Sequence, residues 1–335
     1  MSDTGGGPAG PGGVDARSAS WAAPARVLAF GAGAAAAVAL WLGSVTWGEV
    51  SPEPGVPHFW VADRDGRHLV GLDRELFVSR SAFLSRPVDL AVGEDGDLWC
   101  LLARGDGPDG PHGLLCVGTG VEVPLEGRPL GLAASGGQAS VLLDGPRGVE
   151  VWRVAPHGVA HRLARVREGT CLAARGAQVL VGDSRGRVSL LGSYGVRSAR
   201  PGDEIRAVAA GAGSSWWVLT AGPDARLVHL AADLSTRRVL ETGLEDPSMA
   251  VVPDADSVWL VGGRERRALR IAADGHEERA LGDLPMAGLV AGAATRSGGL
   301  LLLAPGAVLH IDSAGRMARG QGGFGFLVDG VLARP

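Results

Sequence analysis

The sequence contains no lysine and no asparagine, one tyrosine and three cysteines. Each shortage excludes chemistry. Without lysine there is no Walker A phosphate loop, no Schiff-base amine and no Ser-x-x-Lys nucleophile. Without asparagine there is no N-glycosylation acceptor and no amide of that type to ligate a metal. Three cysteines, Cys100, Cys116 and Cys171, are too few for a disulfide framework. All side-chain positive charge comes from arginine and histidine, and the net charge is only −4, so the chain as a whole is not an electrostatic nucleic-acid binder. Scarce lysine, asparagine and isoleucine together reflect a GC-rich coding bias.

What is present is glycine, 54 residues of it, and a hydrophobic fraction of 46% that can fill a core. Residues 1–25 are Gly, Pro, Ala and Ser with few large apolar groups, and read as a disordered tail. Val27 to Trp47 then runs without a charge. As a helix it would be about 30 Å long, the thickness of a bilayer core. Its strongly apolar residues contribute about −2 to −4 kcal/mol on an insertion scale, an adequate span. Trp41 and Trp47 suit an interfacial belt, so residues 26–48 are expected to form a single-pass anchor, with a linker at 49–57. Arg17 and Arg26 precede the span while Glu49 and Glu53 follow it, which places the tail in the cytoplasm and residues 58–335 outside, on the periplasmic or cell-surface side. A cleaved signal peptide is the competing reading. The Gly31-x-Gly33-x-x-Ala36 string within the span lacks the strand–helix–strand context of a dinucleotide site.

From residue 58 onward the chain repeats with a period near 40 residues. A turn glycine or its equivalent recurs at Gly120, Gly158, Gly195, Ser235, Gly275 and Gly315. An apolar strand recurs with Trp60, Trp99, Trp217 or Trp259 at its head, or an aliphatic residue in other units. A small, Ala-rich strand lies about ten residues upstream of it, as in LGLAASGGQ and RAVAAGAG. Small residues fit strands that crowd round an axis, and short evenly spaced strands with one aromatic motif per unit indicate an all-β propeller. Six complete units begin near Pro87, Pro129, Cys171, Ile205, Pro247 and Met286. Residues 58–83 supply three strands and the segment from Phe324 one more, so the two chain ends complete a seventh blade; six or eight blades are the alternatives.

The unit carrying Asp95-Gly96-Asp97-Leu98-Trp99, echoed at Asp256-Ser257-Val258-Trp259, resembles those of the NHL and YVTN class of bacterial propellers. The resemblance is at the level of the fold and spans residues 58–333. WD40 repeats fit less well, because no blade carries the Gly-His and Trp-Asp pair.

In such a ring the loops before each inner strand share a face with the loops between strands two and three. The first set holds Arg86, Arg128, Glu168, Glu204, Asp246 and Asp283; the second holds Asp106, Asp109, His112, Arg264, Arg266 and Arg267. This face is the expected surface for a polar partner or an anionic ligand. No catalytic residue, resident metal or cofactor is read from the sequence. His157 and His161 lack further ligands nearby, Asp63-Arg-Asp65-Gly66 lacks the rest of a calcium loop, and Gly320-x-Gly322-x-x-Gly325 lacks an acidic partner downstream. Pairing residues 98–102 with 114–118 would set Cys100 opposite Cys116, as a disulfide or as two buried thiols. The expected function is a membrane-anchored, non-enzymatic module for a protein partner or ligand. The alternative is a metal-dependent, lactonase-like hydrolase or lyase, with Glu168, Glu204, Asp246 and Asp283 as its carboxylates.

Overall fold

A computed structural model describes residues 57–333 except 66, 85, 105–109, 194, 254 and 326. The expected tail, anchor and nearly all of the linker fall outside the described residues, and among the described residues no helix is long and apolar enough to cross a membrane. Every strand belongs to one of seven four-stranded antiparallel sheets, each a blade.

Blade 1 combines β1 (Phe59–Asp63), β2 (His68–Leu72) and β3 (Val78–Phe83) with the last strand, β28 (Leu327–Leu332), on the inside. Blade 2 contains β4 (Pro87–Val92), β5 (Leu98–Ala103), β6 (His112–Cys116) and β7 (Val121–Leu125). Blade 3 contains β8 (Arg128–Ser135), β9 (Gln138–Gly145), β10 (Gly148–Val154) and β11 (Ala160–Arg165). Blade 4 contains β12 (Cys171–Arg175), β13 (Gln178–Gly182), β14 (Val188–Gly192) and β15 (Gly195–Ala199). Blade 5 contains β16 (Ile205–Ala210), β17 (Trp216–Thr220), β18 (Arg226–Leu230) and β19 (Thr236–Glu241). Blade 6 contains β20 (Ser248–Val251), β21 (Ser257–Gly262), β22 (Arg267–Ala272) and β23 (Glu277–Leu281). Blade 7 contains β24 (Val290–Ala294), β25 (Leu300–Ala304), β26 (Ala307–Ile311) and β27 (Met317–Gly322). The inner strands contact one another in the order β28, β4, β8, β12, β16, β20, β24 and back to β28, so the ring closes.

The core is not central. It consists of seven apolar layers, one at each interface between neighbouring blades. A second strand such as Trp216–Thr220 or Leu300–Ala304 is therefore buried on both faces, which explains its continuous apolar run in place of a period-two pattern. Trp99, Trp216, Trp217 and Trp259 are fully buried there. The Trp259 indole donates to the Gly298 carbonyl of the next blade at 3.0 Å. Outer strands are polar and exposed, with Arg162, Arg165, Arg237, Arg238, Arg279 and Arg319 along them. Charge on an outer edge discourages pairing with another chain.

The recurrent turn glycine has a steric cause. Gly275 and Gly315 take φ of 81° and 74°, and a Cβ there would run into the side chains of Arg238 and Arg279, which reach over from the preceding blades. In blade 5 the equivalent residue is Leu234 (φ 69°) rather than Ser235, and in blade 1 it is Leu76 (φ 62°); both leucines are buried. A left-handed leucine costs about 1–2 kcal/mol, and burying its side chain gains about 1.5–3, so packing prevails.

The expected opposition of Cys100 and Cys116 is not the observed register. Cys116 pairs with Trp99 and Cys100 with Leu115. A one-residue offset sends the two thiols to opposite faces of the sheet. Cys100 packs in the layer between blades 1 and 2, Cys116 in the layer between blades 2 and 3, and both are free.

Candidate functional site

Successive strands alternate in direction, so the loops between blades and between strands two and three share one face, called here the loop face. The turns between strands one and two and between strands three and four form the opposite face. His58, which leads into β1, and Ala333, which follows β28, both lie on this opposite face, joined by a hydrogen bond of 2.8 Å from Ala333 N to His58 O.

The loop face carries most of the backbone strain. Among the described residues seven non-glycine residues are left-handed, and five of them, Arg67, Arg86, Asp246, Arg266 and Asp283, lie in its loops. Each costs about 1–3 kcal/mol and persists only where surrounding contacts enforce it. Those contacts are visible. Asp246 accepts from Gly222 N at 3.1 Å and pairs with Arg206 at 3.4 Å. The Arg86 carbonyl accepts from Ala103 N at 3.0 Å, and the Arg266 guanidinium donates to the Leu284 carbonyl.

Apart from the corrections below, the expected site residues lie in these loops or, for Arg128 and Arg267, begin the strands β8 and β22 that follow them, but they do not converge. Glu168 is held by Arg185 at 2.6 Å and by the Ser184 hydroxyl at 3.4 Å. Arg128 pairs with Asp144 at 3.5 Å. Arg264 pairs with Glu245, while Arg267 opens β22 opposite Gly262. Glu204 and Asp283 are exposed. Among the described residues no group of three or more His, Cys, Asp and Glu could hold a metal ion. His112 is not a loop residue: it begins β6 and is 6% exposed. Asp106 and Asp109 lie outside the described residues. On the same face, a cleft of ≈ 670 Å³ opens in blade 5, bordered by Asp203, Asp224, Glu241 and Arg226. Three carboxylates against one guanidinium make it acidic, and Arg226 sits 3.6 Å from Asp203.

Two carboxyls in the central channel have no counterpart in the sequence expectations. Asp89 on β4 and Asp329 on β28 follow bulges at the same position of their strands and hydrogen-bond to each other across the seam that closes the ring. Asp329 accepts from Leu90 N at 2.7 Å, and Asp89 accepts from the Leu132 backbone in the next blade. The motif recurs: Cys171 accepts from the Val208 backbone, and Ser248 accepts from Ala291 N at 2.7 Å. Small polar side chains thus cap the inner edge of the following blade. Protein surrounds the acid pair although channel solvent reaches it. Burial, then the Asp329 charge, raises Asp89 well above the carboxylate range, and burial raises Asp329 to about 6. The pair retains a proton that two separate carboxyls would release. The Cys100 thiol beneath is pushed up by burial first and then by both carboxyls, so it is not a ready nucleophile.

A second belt of hydrogen bonds rings the opposite face. The Ser135 hydroxyl donates to Glu94 at 3.2 Å and accepts from Gly176 N at 2.6 Å. Arg175 stacks over Trp216 at 4.2 Å and donates to the Ser215 carbonyl at 2.7 Å. The Ser215 hydroxyl donates to Asp256 at 3.0 Å. His229 stacks on Trp217 at 4.2 Å beside Asp256, and burial lowers its pKa. Ser215, Asp256 and His229 do not form a nucleophile–base pair, because the carboxylate stands between the hydroxyl and the ring.

No protein-family model and no curated protein matches the sequence. Solved structures do match in shape. Apo AztD from Citrobacter koseri aligns with a TM-score of 0.57 at 10% identity, covering 82% of this chain and 96% of that one. A streptogramin B lyase aligns with a TM-score of 0.55 at 12% identity, covering 69% and 81%. A chain of a nidogen/laminin complex aligns with a TM-score of 0.52 at 15% identity, covering 83% and 98%. At these identities the likeness concerns the fold alone, and the fold is that of a seven-bladed β-propeller.

Proposed function

We propose that this protein is a membrane-tethered binding module that engages a protein partner through its loop face, without catalysing a reaction. The observation that carries this reading is the concentration of left-handed non-glycine residues in those loops, where tertiary contacts hold a fixed polar surface at an energetic cost. The carboxylates that a metal-dependent hydrolase or lyase would need are engaged separately or exposed on different loops, which favours binding over metal chemistry. The acidic cleft of blade 5 fits a cationic group, such as an arginine or lysine side chain of the partner.

The test is purification of the full-length chain from its own membrane in mild detergent, with mass spectrometry for co-purifying chains and elemental analysis for metal. A stoichiometric partner, released by Asp224→Arg with Glu241→Arg, supports the reading. A protein with no partner and about one divalent ion per chain would refute it and revive the hydrolase.

A further inference from the structure

Where blade 7 meets blade 1 on the opposite face, a pocket of ≈ 450 Å³ opens, within the size range of small-molecule sites. Its wall is assembled from separate segments: His58 ahead of β1, Arg74 in the β2–β3 turn, Arg296 and Ser297 in the β24–β25 turn, His310 on β26, and Ser313 in the β26–β27 turn. Two arginines therefore line this wall together with two imidazoles and three hydroxyls, that of Thr295 being bonded to Ser297 at 3.0 Å. The one carboxylate in the lining, Asp312, is already committed to Arg316. Its Oδ1 accepts from Arg316 N at 2.9 Å, and its Oδ2 accepts from Nε at 3.0 Å with Nη2 at 2.9 Å.

We propose that this pocket is a binding site for an oxyanion, a phosphate, sulfate or carboxylate group borne by a small molecule or a lipid headgroup. His58 and His310 stand in the same wall, and the His310 ring donates to the Arg74 backbone, which ties the β2–β3 turn to β26. The imidazoles are tuned to respond to a negative charge. Burial first, then Arg74 and His310, pushes His58 down to about 4, and burial lowers His310 against the opposing pull of Asp312 and Glu75. An anion between the guanidiniums would offset the Arg74 charge and favour the imidazolium forms. This site is independent of the loop-face reading.

The test uses the full-length chain in detergent with its histidine rings labelled for NMR. Sulfate is the first probe, because its charge is constant near neutral pH. The expected result is a saturable shift of the His58 and His310 signals, a rise of the His58 pKa on saturation, and about tenfold weaker binding in Arg74→Ala or Arg296→Ala. Both arginines are exposed, so these variants should melt like the parent chain. Glycerol phosphate in detergent is then compared with vesicles of phosphatidylglycerol or phosphatidylcholine. Saturation by the soluble probes identifies a small-molecule anion site, and a response confined to phosphatidylglycerol identifies a headgroup site. No response in either arm, or a response that survives both substitutions, overturns the proposal.

Discussion

Replacing Asp89 by asparagine should make the propeller more stable in alkali and flatten its pH dependence. The sign follows from linkage. Asp329 has a folded pKa of about 6 against 3.8 for a free carboxyl. A raised pKa means that the native state holds its proton longer than the unfolded chain does. The associated stability is complete below the unfolded pKa and is lost as pH rises through about 6. Asp89 is raised further, so its loss extends to higher pH. At about 1.4 kcal/mol per pH unit, the Asp329 shift corresponds to about 3 kcal/mol, an upper figure because channel water screens the pair. An asparagine amide can donate to Asp329 as the protonated Asp89 does, and its oxygen can still accept from the Leu132 backbone. The assay is urea denaturation of parent and variant from pH 4 to pH 8. The difference between the two cancels the opposing carboxylates, such as Asp312 and Asp233, whose pKa values are lowered. The variant should gain about 1–3 kcal/mol on the parent across that range, or roughly 2–6 °C in Tm at the upper end. Equal pH slopes for the two proteins would refute the shared-proton account.

Other substitutions probe the rest of the structure. Gly186→Ala should destabilise by about 2 kcal/mol or more, because φ is 79° and a Cβ would lie 1.9 Å from the Gly202 carbonyl oxygen; thermal denaturation reads this directly. Trp259→Phe should cost about 1–3 kcal/mol in chemical denaturation, since it leaves the Gly298 carbonyl without its indole donor. Glu150→Gln should weaken the fold at neutral pH but not in acid. Arg162 first, with help from Trp152 and Arg165, lowers the Glu150 pKa, so its contribution is present above the ordinary carboxylate range and disappears as pH falls through the folded value. Asp224→Arg with Glu241→Arg should change stability by less than about 0.5 kcal/mol per site, so a loss of partner binding in a pull-down would report on the cleft itself.

The blades were legible because their signals are local. A glycine turn, a doubly buried second strand and a small inner strand each fall within a few residues, and six units repeat them. Closure was legible because residues 58–83 lack an inner strand and the C-terminal segment supplies one. The acid pair escaped because its partners are 240 residues apart in sequence and only the closed ring joins them. The available signal was a lone aspartate in each of two inner strands, PVDLAV and LVDGVL. The cysteine register failed by one residue because a long loop does not fix pairing as a two-residue hairpin does. His112 was read as part of that loop, although the ladder begins with it. In blade 5, Asp233 bonds the Ser235 backbone at 3.0 Å, so the turn conformation falls on Leu234, where side-chain identity alone gives no glycine to mark it.

The central claim is that the loop face, and not the face where the chain ends emerge, meets a partner. Photo-crosslinking amino acids placed singly at Arg187, Asp224 and Arg264 on the loop face, and at His157, His276 and Arg316 on the opposite face, test it in the native cell. The account predicts that the three loop-face positions crosslink one and the same chain, and that the other three do not. Crosslinks to a common chain from the opposite face alone, or none from the loop face, would contradict it.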